Sequence, residues 1–189
     1  TPPLRATNSF SVTVTELQTN RPPVFERQPD VTILAGRRLV VTNVVSDPDT
    51  PPQPIEFALL SAPEGLVLHP QTGVLTWRPA IKAAGQTNVI QIEATDSGIP
   101  PLSATQTFAV VVLRPASPML SVTPLGQSAC AFEIRGDEGP DYIIERSASL
   151  SPPDWQPLLI LVEPAMPFSW TNLALTNIPA AFYRLQLGP

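Results

Sequence analysis

Residues that could carry out catalysis are few in this sequence of 189 residues. His69 is the only histidine, so any nucleophilic triad would have to use it and a histidine-based metal cluster cannot be built. It stands beside Pro70 in a predicted hairpin turn, and this position favours a solvent-exposed structural residue over a catalytic one. The acidic pair Asp137-Glu138 falls in a short predicted loop and lacks the cleft that glycoside hydrolysis needs. We therefore expect a chain that is not an enzyme.

Three tryptophans are the residues that could stack on a sugar ring, namely Trp77, Trp155 and Trp170. The register of the predicted hairpin favours a core position for Trp77, and burial is also the favoured interpretation of the other two. Exposure of the aromatic side chains in a row would instead indicate a carbohydrate-binding accessory region of an extracellular enzyme. Carbohydrate binding is therefore the alternative function.

The composition indicates an all-β protein. The chain has 25 prolines against 9 glycines, and proline is unsuited to helix interiors and central strands but suits stiff turns between short strands. The net charge is −5 and the 11 basic residues are scattered, which argues against nucleic acid as a partner. No apolar run reaches the roughly 18 residues of a bilayer span, so membrane insertion is not expected.

A sequence segment that occurs twice indicates how the chain is organised. Residues 2–14 (PPLRATNSFSVTV) are repeated, with spacing intact, as residues 100–112 (PPLSATQTFAVVV), at a period of 98 residues from Pro3 to Pro101. Phe, Val and Val alternate with other residues in both copies, as in a strand with one buried face. We interpret residues 1–16 as the last strand of a truncated preceding repeat. Such a strand is unstable alone, so we expect it to pair with a sheet edge of its own chain or of a neighbouring copy.

The remainder is predicted to form two consecutive β-sandwich domains. The predicted division is a linker at 17–23, a sandwich at 24–114, a second linker at 115–118 and a small sandwich at 119–189. In the first sandwich, Gly73 suits the positive φ that closes a hairpin before Trp77.

Two segments of the first sandwich resemble a known family. Residues 66–79 resemble the "P-x-G-L-x-L-x-x-x-T-G-x-L-x-W-x-P" signature of bacterial immunoglobulin-like, cadherin-like repeats. Ala94-Thr95-Asp96 followed by Pro100-Pro101-Leu102 is similar to the cadherin phrase "A-x-D-x-G-x-P-P-L-S". The resemblance implies tandem sandwich modules of a large secreted or cell-surface protein, located outside the cell. Such modules serve adhesion, protein–protein contact or the spacing of other domains.

The resemblance also implies candidate ligands for Ca²⁺, which cadherin repeats bind at their junctions with six to eight oxygen atoms. The matching positions are Asp47, Asp49, Asp96, Glu16 and Asn20. Glu16 replaces an aspartate of the family pattern, and Arg21 adds a cation that would oppose a bound metal. The alternative interpretation is that Asp47 and Asp49 shape a proline turn through bonds from side chain to backbone.

The C-terminal segment carries a different pattern. Residues 142–147 (YIIERS), Leu150, Trp155 and residues 182–185 (FYRL) are similar to a pattern in fibronectin type III-like C-terminal modules of large secreted bacterial proteins. This resemblance implies a terminal module without chemistry of its own. The predicted strands of this segment are 119–122, 129–135, 142–146, 158–162, 168–171 and 182–187.

Overall fold

The computed structural model describes residues 2–3, 5–12, 19–126, 129–172 and 181–188. Over these residues the regular structure consists of β-strands and one 3₁₀ turn, Ile81–Ala83, which confirms the all-β prediction. In the same residues, no helix has the length and apolar character that crossing a membrane requires.

Nine strands build the first sandwich. They are β1 (Val24–Phe25), β2 (Val31–Leu34), β3 (Leu39–Thr42), β4 (Val45–Ser46), β5 (Ile55–Ser61), β6 (Val67–Leu68), β7 (Val74–Trp77), β8 (Thr87–Asp96) and β9 (Ser103–Leu113). One sheet has the order β2-β9-β8-β5, the facing sheet has the order β3-β7-β6, and β1 pairs with β4. The pairing of β2 with β9 is parallel, with Val31 opposite Val110 and Leu34 opposite Leu113. The other ladders of this sandwich are antiparallel.

Alternation along the two longest strands supplies most of the first core. Ile90 and Ile92 of β8, and Val110 and Val112 of β9, are completely buried while their neighbours face outward. Trp77 from the facing sheet is also buried, as the hairpin register predicted.

The turn before β7 also has the predicted geometry. Gly73 has a φ of +64°, and a β-carbon there would lie 2.7 Å from the ring of Phe57. Glycine is therefore required at this turn both for its backbone conformation and for space.

Six strands build the second sandwich. They are β10 (Met119–Pro124), β11 (Cys130–Arg135), β12 (Tyr142–Ser147), β13 (Gln156–Leu161), β14 (Phe168–Asn172) and β15 (Phe182–Leu187). They form two antiparallel sheets with the orders β10-β11-β14 and β13-β12-β15. The fully buried residues Ile134, Tyr142 and Ile144 centre a hydrophobic cluster separate from the first core. The six strands predicted for this segment are therefore present, with ends that differ by at most two residues.

The strand predicted at residues 1–16 lies partly outside the described residues, namely at 1, 4 and 13–16. Residues 5–12 lie outside any strand, and Phe10 and Val12 are 85% and 71% exposed. A strand forms only when a partner accepts its backbone hydrogen bonds, and the described part of this segment has no such partner in its own chain. Pairing with a neighbouring copy stays a prediction, as do the domain boundaries given above.

Candidate functional site

Four of the five predicted calcium ligands meet at one end of the first sandwich. We call Asn20, Arg21, Asp47, Asp49, Gln53 and Asp96 the aspartate cluster. Asn20 and Arg21 come just before β1, Asp47 and Asp49 follow β4, Gln53 precedes β5, and Asp96 ends β8. Loops that leave four separate strands therefore converge here. The fifth predicted ligand, Glu16, lies outside the described residues.

Asp96 is the buried anchor of the cluster, with 4% of its surface exposed. Its Oδ1 accepts hydrogen bonds from the backbone N–H groups of Gly98 at 2.9 Å and Leu102 at 3.0 Å. The amide Nδ2 of Asn20 donates to both carboxylate oxygens, at 3.1 and 3.2 Å, and to the Pro100 carbonyl at 2.8 Å. Asp96 therefore fixes the linker residue Asn20 against the loop that follows β8.

Asp49 is the second buried carboxylate, with 7% of its surface exposed. Arg21 contacts both of its oxygens, because the Arg21 backbone N–H donates to Oδ2 and Nε donates to Oδ1, each at 3.0 Å. The Nη2 group of Arg21 also donates to the carbonyl of Pro48. Gln53 Nε2 bridges the two halves of the cluster, donating to Asn20 Oδ1 at 2.8 Å and to Asp49 Oδ2 at 3.3 Å.

Asp47 shapes the loop that carries Asp49. Its Oδ1 accepts a hydrogen bond of 2.7 Å from the Asp49 backbone N–H, two residues along the chain. This contact matches the turn-shaping interpretation of the Asp-Pro-Asp sequence.

The contacts of the cluster favour ionised carboxylates. The backbone and side-chain hydrogen bonds from Arg21 outweigh the cost of burial and hold the pKa of Asp49 below its usual value of 3.8. Burial opposes ionisation of Asp96 most strongly, but hydrogen bonds from Leu102, Asn20 and Gly98 together lower its pKa as well. Both groups are therefore negatively charged at neutral pH.

The arrangement does not fit a calcium ion. Calcium takes six to eight oxygen ligands, whereas Oδ1 of Asp96 already accepts three N–H groups and both oxygens of Asp49 accept N–H groups of the cationic residue Arg21. Across the described ranges of the chain, no group of three or more His, Cys, Asp or Glu side chains is placed to hold a metal.

A second polar constellation joins the two sandwiches, and we call it the Arg78 junction. Arg78, just after β7, donates from Nη2 to the carboxylate of Asp141 at 2.7 Å and to the carbonyl of Gly139 at 2.7 Å. Its Nε donates to the carbonyl of Gly36 at 2.6 Å and lies 2.9 Å from the carboxylate of Glu163. One guanidinium thus binds a loop of the first sandwich and two loops of the second.

The charges of this junction support each other. The hydrogen bond from Arg78 lowers the pKa of Asp141, against the opposing effect of burial, and the same bond raises the pKa of Arg78. The backbone N–H of Glu163 donates to Asp141 at 3.0 Å, although Glu163 has the unusual φ of +43°. The left-handed backbone of Glu163 thus lies in the loop of the second sandwich that contacts Arg78.

The linker between the sandwiches is also tied down. Asp137 accepts a hydrogen bond of 2.7 Å from the backbone N–H of Ala116, and its own carbonyl accepts one of 2.7 Å from the Tyr142 hydroxyl. The sequence predicted only a short loop at Asp137, because the tertiary partner of a loop residue is not visible in a local pattern.

The other predicted candidates, His69 and the three tryptophans, make contacts within the fold. His69 is exposed in the turn before β7, and its Nδ1 accepts hydrogen bonds of 3.3 Å from the backbone of Gln71 and Thr72. Trp170 stacks on the buried Phe132 at 5.3 Å between ring centroids. The Arg184 guanidinium covers Trp155 at 4.5 Å from the ring centroid. Trp77 is buried, so the three tryptophans give no support to a sugar-stacking row.

Comparison with known proteins shows what the first sandwich is similar to. Residues 22–113 match the family model described as "Putative Ig domain". Human protocadherin gamma-C4 is 31% identical over 124 residues, which cover 59% of this chain and 13% of that protein. Mouse cadherin-15 is 29% identical over 190 residues, which cover 93% of this chain and 24% of that protein. The chain thus spans 13 to 24% of the length of these relatives.

Solved cadherin structures are also similar to this chain. The third cadherin domain of human protocadherin 7 has a TM-score of 0.41 and 20% identity, and covers 53% of this chain and 93% of that one. A cis-dimer structure of protocadherin gammaB7 EC3-6 also has a TM-score of 0.41 and 20% identity, and covers 67% of this chain and 35% of that one. The fibronectin-like assignment of residues 119–189 stays a prediction. Residues 22–113 form a nine-stranded sandwich that matches the immunoglobulin-like family model and is similar in sequence to cadherins.

Proposed function

We propose that this chain is a non-catalytic pair of extracellular modules in a larger surface or secreted protein. Its role is to hold neighbouring domains at a fixed spacing and to offer surfaces for protein contact, including adhesion. The proposal is supported by the cadherin-like module at residues 22–113 and by the names of the relatives, which are a protocadherin and a cadherin. The partners in this proposal are sibling modules or a second copy of the chain.

The Arg78 junction is the observation that carries the spacing role. A spacer needs a defined angle between its units, and flexible linkers between small contacts do not provide one. Here a half-buried arginine binds the carboxylate of Asp141 and backbone carbonyls from both sandwiches. Hydrogen bonds that involve a charged group contribute about 1.5–3 kcal/mol each, enough to favour one orientation strongly.

Close backbone contact supports the same role. A β-carbon on Gly36 would lie 2.7 Å from the Cα of Pro140, and one on Gly139 would lie 2.9 Å from the Cα of Arg37. The two glycines therefore let the main chains of the sandwiches touch, which leaves little room for one sandwich to pivot on the other.

The positions of the reactive side chains support a non-catalytic role for the chain. His69 caps its own turn, and the buried carboxylates of Asp49 and Asp96 are each held by N–H donors. Charged groups that are satisfied in this way have a structural role and are not poised for proton transfer to a substrate.

Small-angle X-ray scattering on the chain tests the spacing role. We expect the wild-type profile to fit a single arrangement of the two sandwiches, and Arg78→Gln to broaden the distribution of distances. Arg135→Gln is the matched control, because Arg135 makes an exposed ion pair with Glu133 on its own strand. A wild-type profile that needs a wide range of orientations would refute the proposal.

A further inference from the structure

We infer that the guanidinium of Arg21 is the resident cation of the aspartate cluster, so that this end of the module is held together without calcium. The family resemblance implies a metal at these positions, and the contacts of the described residues disagree with it. The inference goes beyond the spacing role proposed above and does not depend on it.

Arg21 occupies the positions from which a cation would bind Asp49. Its backbone N–H and Nε approach the two carboxylate oxygens from the linker side, each at 3.0 Å, and Nη2 reaches the Pro48 carbonyl. Arg21 therefore binds the acidic loop through three N–H donors, two of which belong to the planar guanidinium. The ammonium group of a lysine could not reproduce this arrangement. Because Arg21 precedes Pro22, its backbone is restricted to extended conformations, which reduces the entropy lost in forming these bonds.

The second carboxylate is satisfied without a metal. Asp96 receives two backbone N–H groups and both oxygens receive the Asn20 amide. The Asn20 amide lies directly over Gly98, where a β-carbon would be 2.2 Å from its Nδ2. A metal at Asp96 would have to displace a side chain that is held on both sides.

Among the described residues of the cluster, two buried side-chain oxygens are without a hydrogen-bond partner, Asp47 Oδ2 and Gln53 Oε1. Two oxygens are well short of the six to eight that calcium takes. A metal that also used Asp49 would compete with the Arg21 guanidinium, and the repulsion between two cations at this distance would oppose its approach.

The expected contribution of Arg21 is modest, because 58% of its side chain is exposed while Asp49 is buried. Replacement by glutamine keeps the backbone N–H of residue 21 but leaves the charged Asp49 without its guanidinium partner. Thermal unfolding of the chain in millimolar CaCl₂ and in EGTA tests the inference. The variants are Arg21→Gln, Arg21→Lys and, as control, Arg27→Gln, since Arg27 is exposed and outside the ion pairs that the structure describes.

We expect the wild-type midpoint to be equal in calcium and in EGTA, since a ligand that does not bind gives no stabilisation by mass action. Arg21→Gln should lower the midpoint by about 2–4 °C in both buffers, and Arg27→Gln should leave it unchanged. Arg21→Lys should lie between wild type and Arg21→Gln, because lysine keeps the charge and loses the fork.

Either of two results would overturn the inference. One is a wild-type midpoint that rises with calcium concentration, and the other is an Arg21→Gln midpoint equal to that of the wild type. Neither would affect the scattering test of the Arg78 junction, which lies at the opposite end of the module, so the two failures are distinguishable.

Discussion

The backbones of Gly36 in the first sandwich and Pro140 in the second are in close contact. A β-carbon added to Gly36 would lie 2.7 Å from the Cα and 2.9 Å from the nitrogen of Pro140. Both positions belong to loops, and Pro140 is fully buried by the contact. The junction therefore tolerates no side chain at residue 36.

Gly36→Ala should consequently destabilise the chain by about 2 kcal/mol, from backbone strain at a φ of +84° and from the clash. Gly65→Ala is the matched control, since Gly65 has a φ of +79° but nothing within 4 Å of its added β-carbon. Urea unfolding of both variants separates clash from strain. Equal losses in the two variants would show that the contact with Pro140 contributes nothing.

Arg78→Lys should destabilise the chain by about 2 kcal/mol although it preserves the charge. Lysine cannot donate to Asp141, Gly139 and Gly36 at once, so buried acceptors lose their partners. The measurement is the free energy of unfolding in urea, with Arg135→Lys as the control for an exposed pair. A loss below about 0.5 kcal/mol, which is usual for surface ion pairs, would contradict the buried role of Arg78.

Acid should release the Arg78 junction. The pKa of Asp141 is lowered in the folded chain below its ordinary value of 3.8, chiefly by the hydrogen bond from Arg78. Its stabilisation is therefore complete above about pH 4 and is lost as the pH falls through the lower folded pKa. The groups that face Asp141 are Arg78, which stays charged, and the backbone N–H of Glu163.

Melting temperatures of wild type and Asp141→Asn from pH 7 down to about pH 2 check this prediction. The difference between the two proteins should be constant from pH 7 to about pH 5 and should shrink below pH 4, because the wild-type carboxylate is then protonated. If the difference in melting temperature between wild type and Asp141→Asn did not change with pH, the effect of the variant would be due to packing and not to the charge of Asp141.

Residues 1–16 should promote association of the chain with a second copy. Phe10 and Val12 are exposed, residues 5–12 have no strand partner in their own chain, and the spacing of the two side chains would place them on one face of a strand that paired with a neighbouring copy. Light scattering should give a mass that rises with concentration for the wild type. It should give the mass of one chain for Phe10→Glu, which places a charge on the apolar side. Identical masses at all concentrations would mean that the segment does not pair between copies.

The strands could be predicted from sequence because their cause is local. In β8 and β9 the buried residues alternate over 10 and 11 residues, and a period of two is visible without knowledge of the fold. Turn chemistry was equally visible at Gly73, whose positive φ was expected from its position before β7. The meeting of Asn20, Asp49 and Asp96 could be predicted only through the family resemblance, since these residues are distant in sequence.

The Arg78 junction could not be predicted in this way. Arg78 and Asp141 are 63 residues apart, and their pairing depends on how two separately formed sandwiches meet. Neither residue differs in its local pattern from a solvated charge next to a strand. Arg21 was recognisable as a cation in an acidic setting, but its direct contact with Asp49 depends on the path of the linker, which sequence periodicity does not determine.

The parallel pairing of β2 with β9 affects how the module transmits tension. The chain enters before β2 and leaves after β9, so a pull on the two ends drags these neighbouring strands in opposite directions along their length. The hydrogen bonds between Val31–Leu34 and Val110–Leu113 are then sheared together instead of being unzipped one after another. A module with this connectivity therefore resists stretching through several hydrogen bonds that must break together.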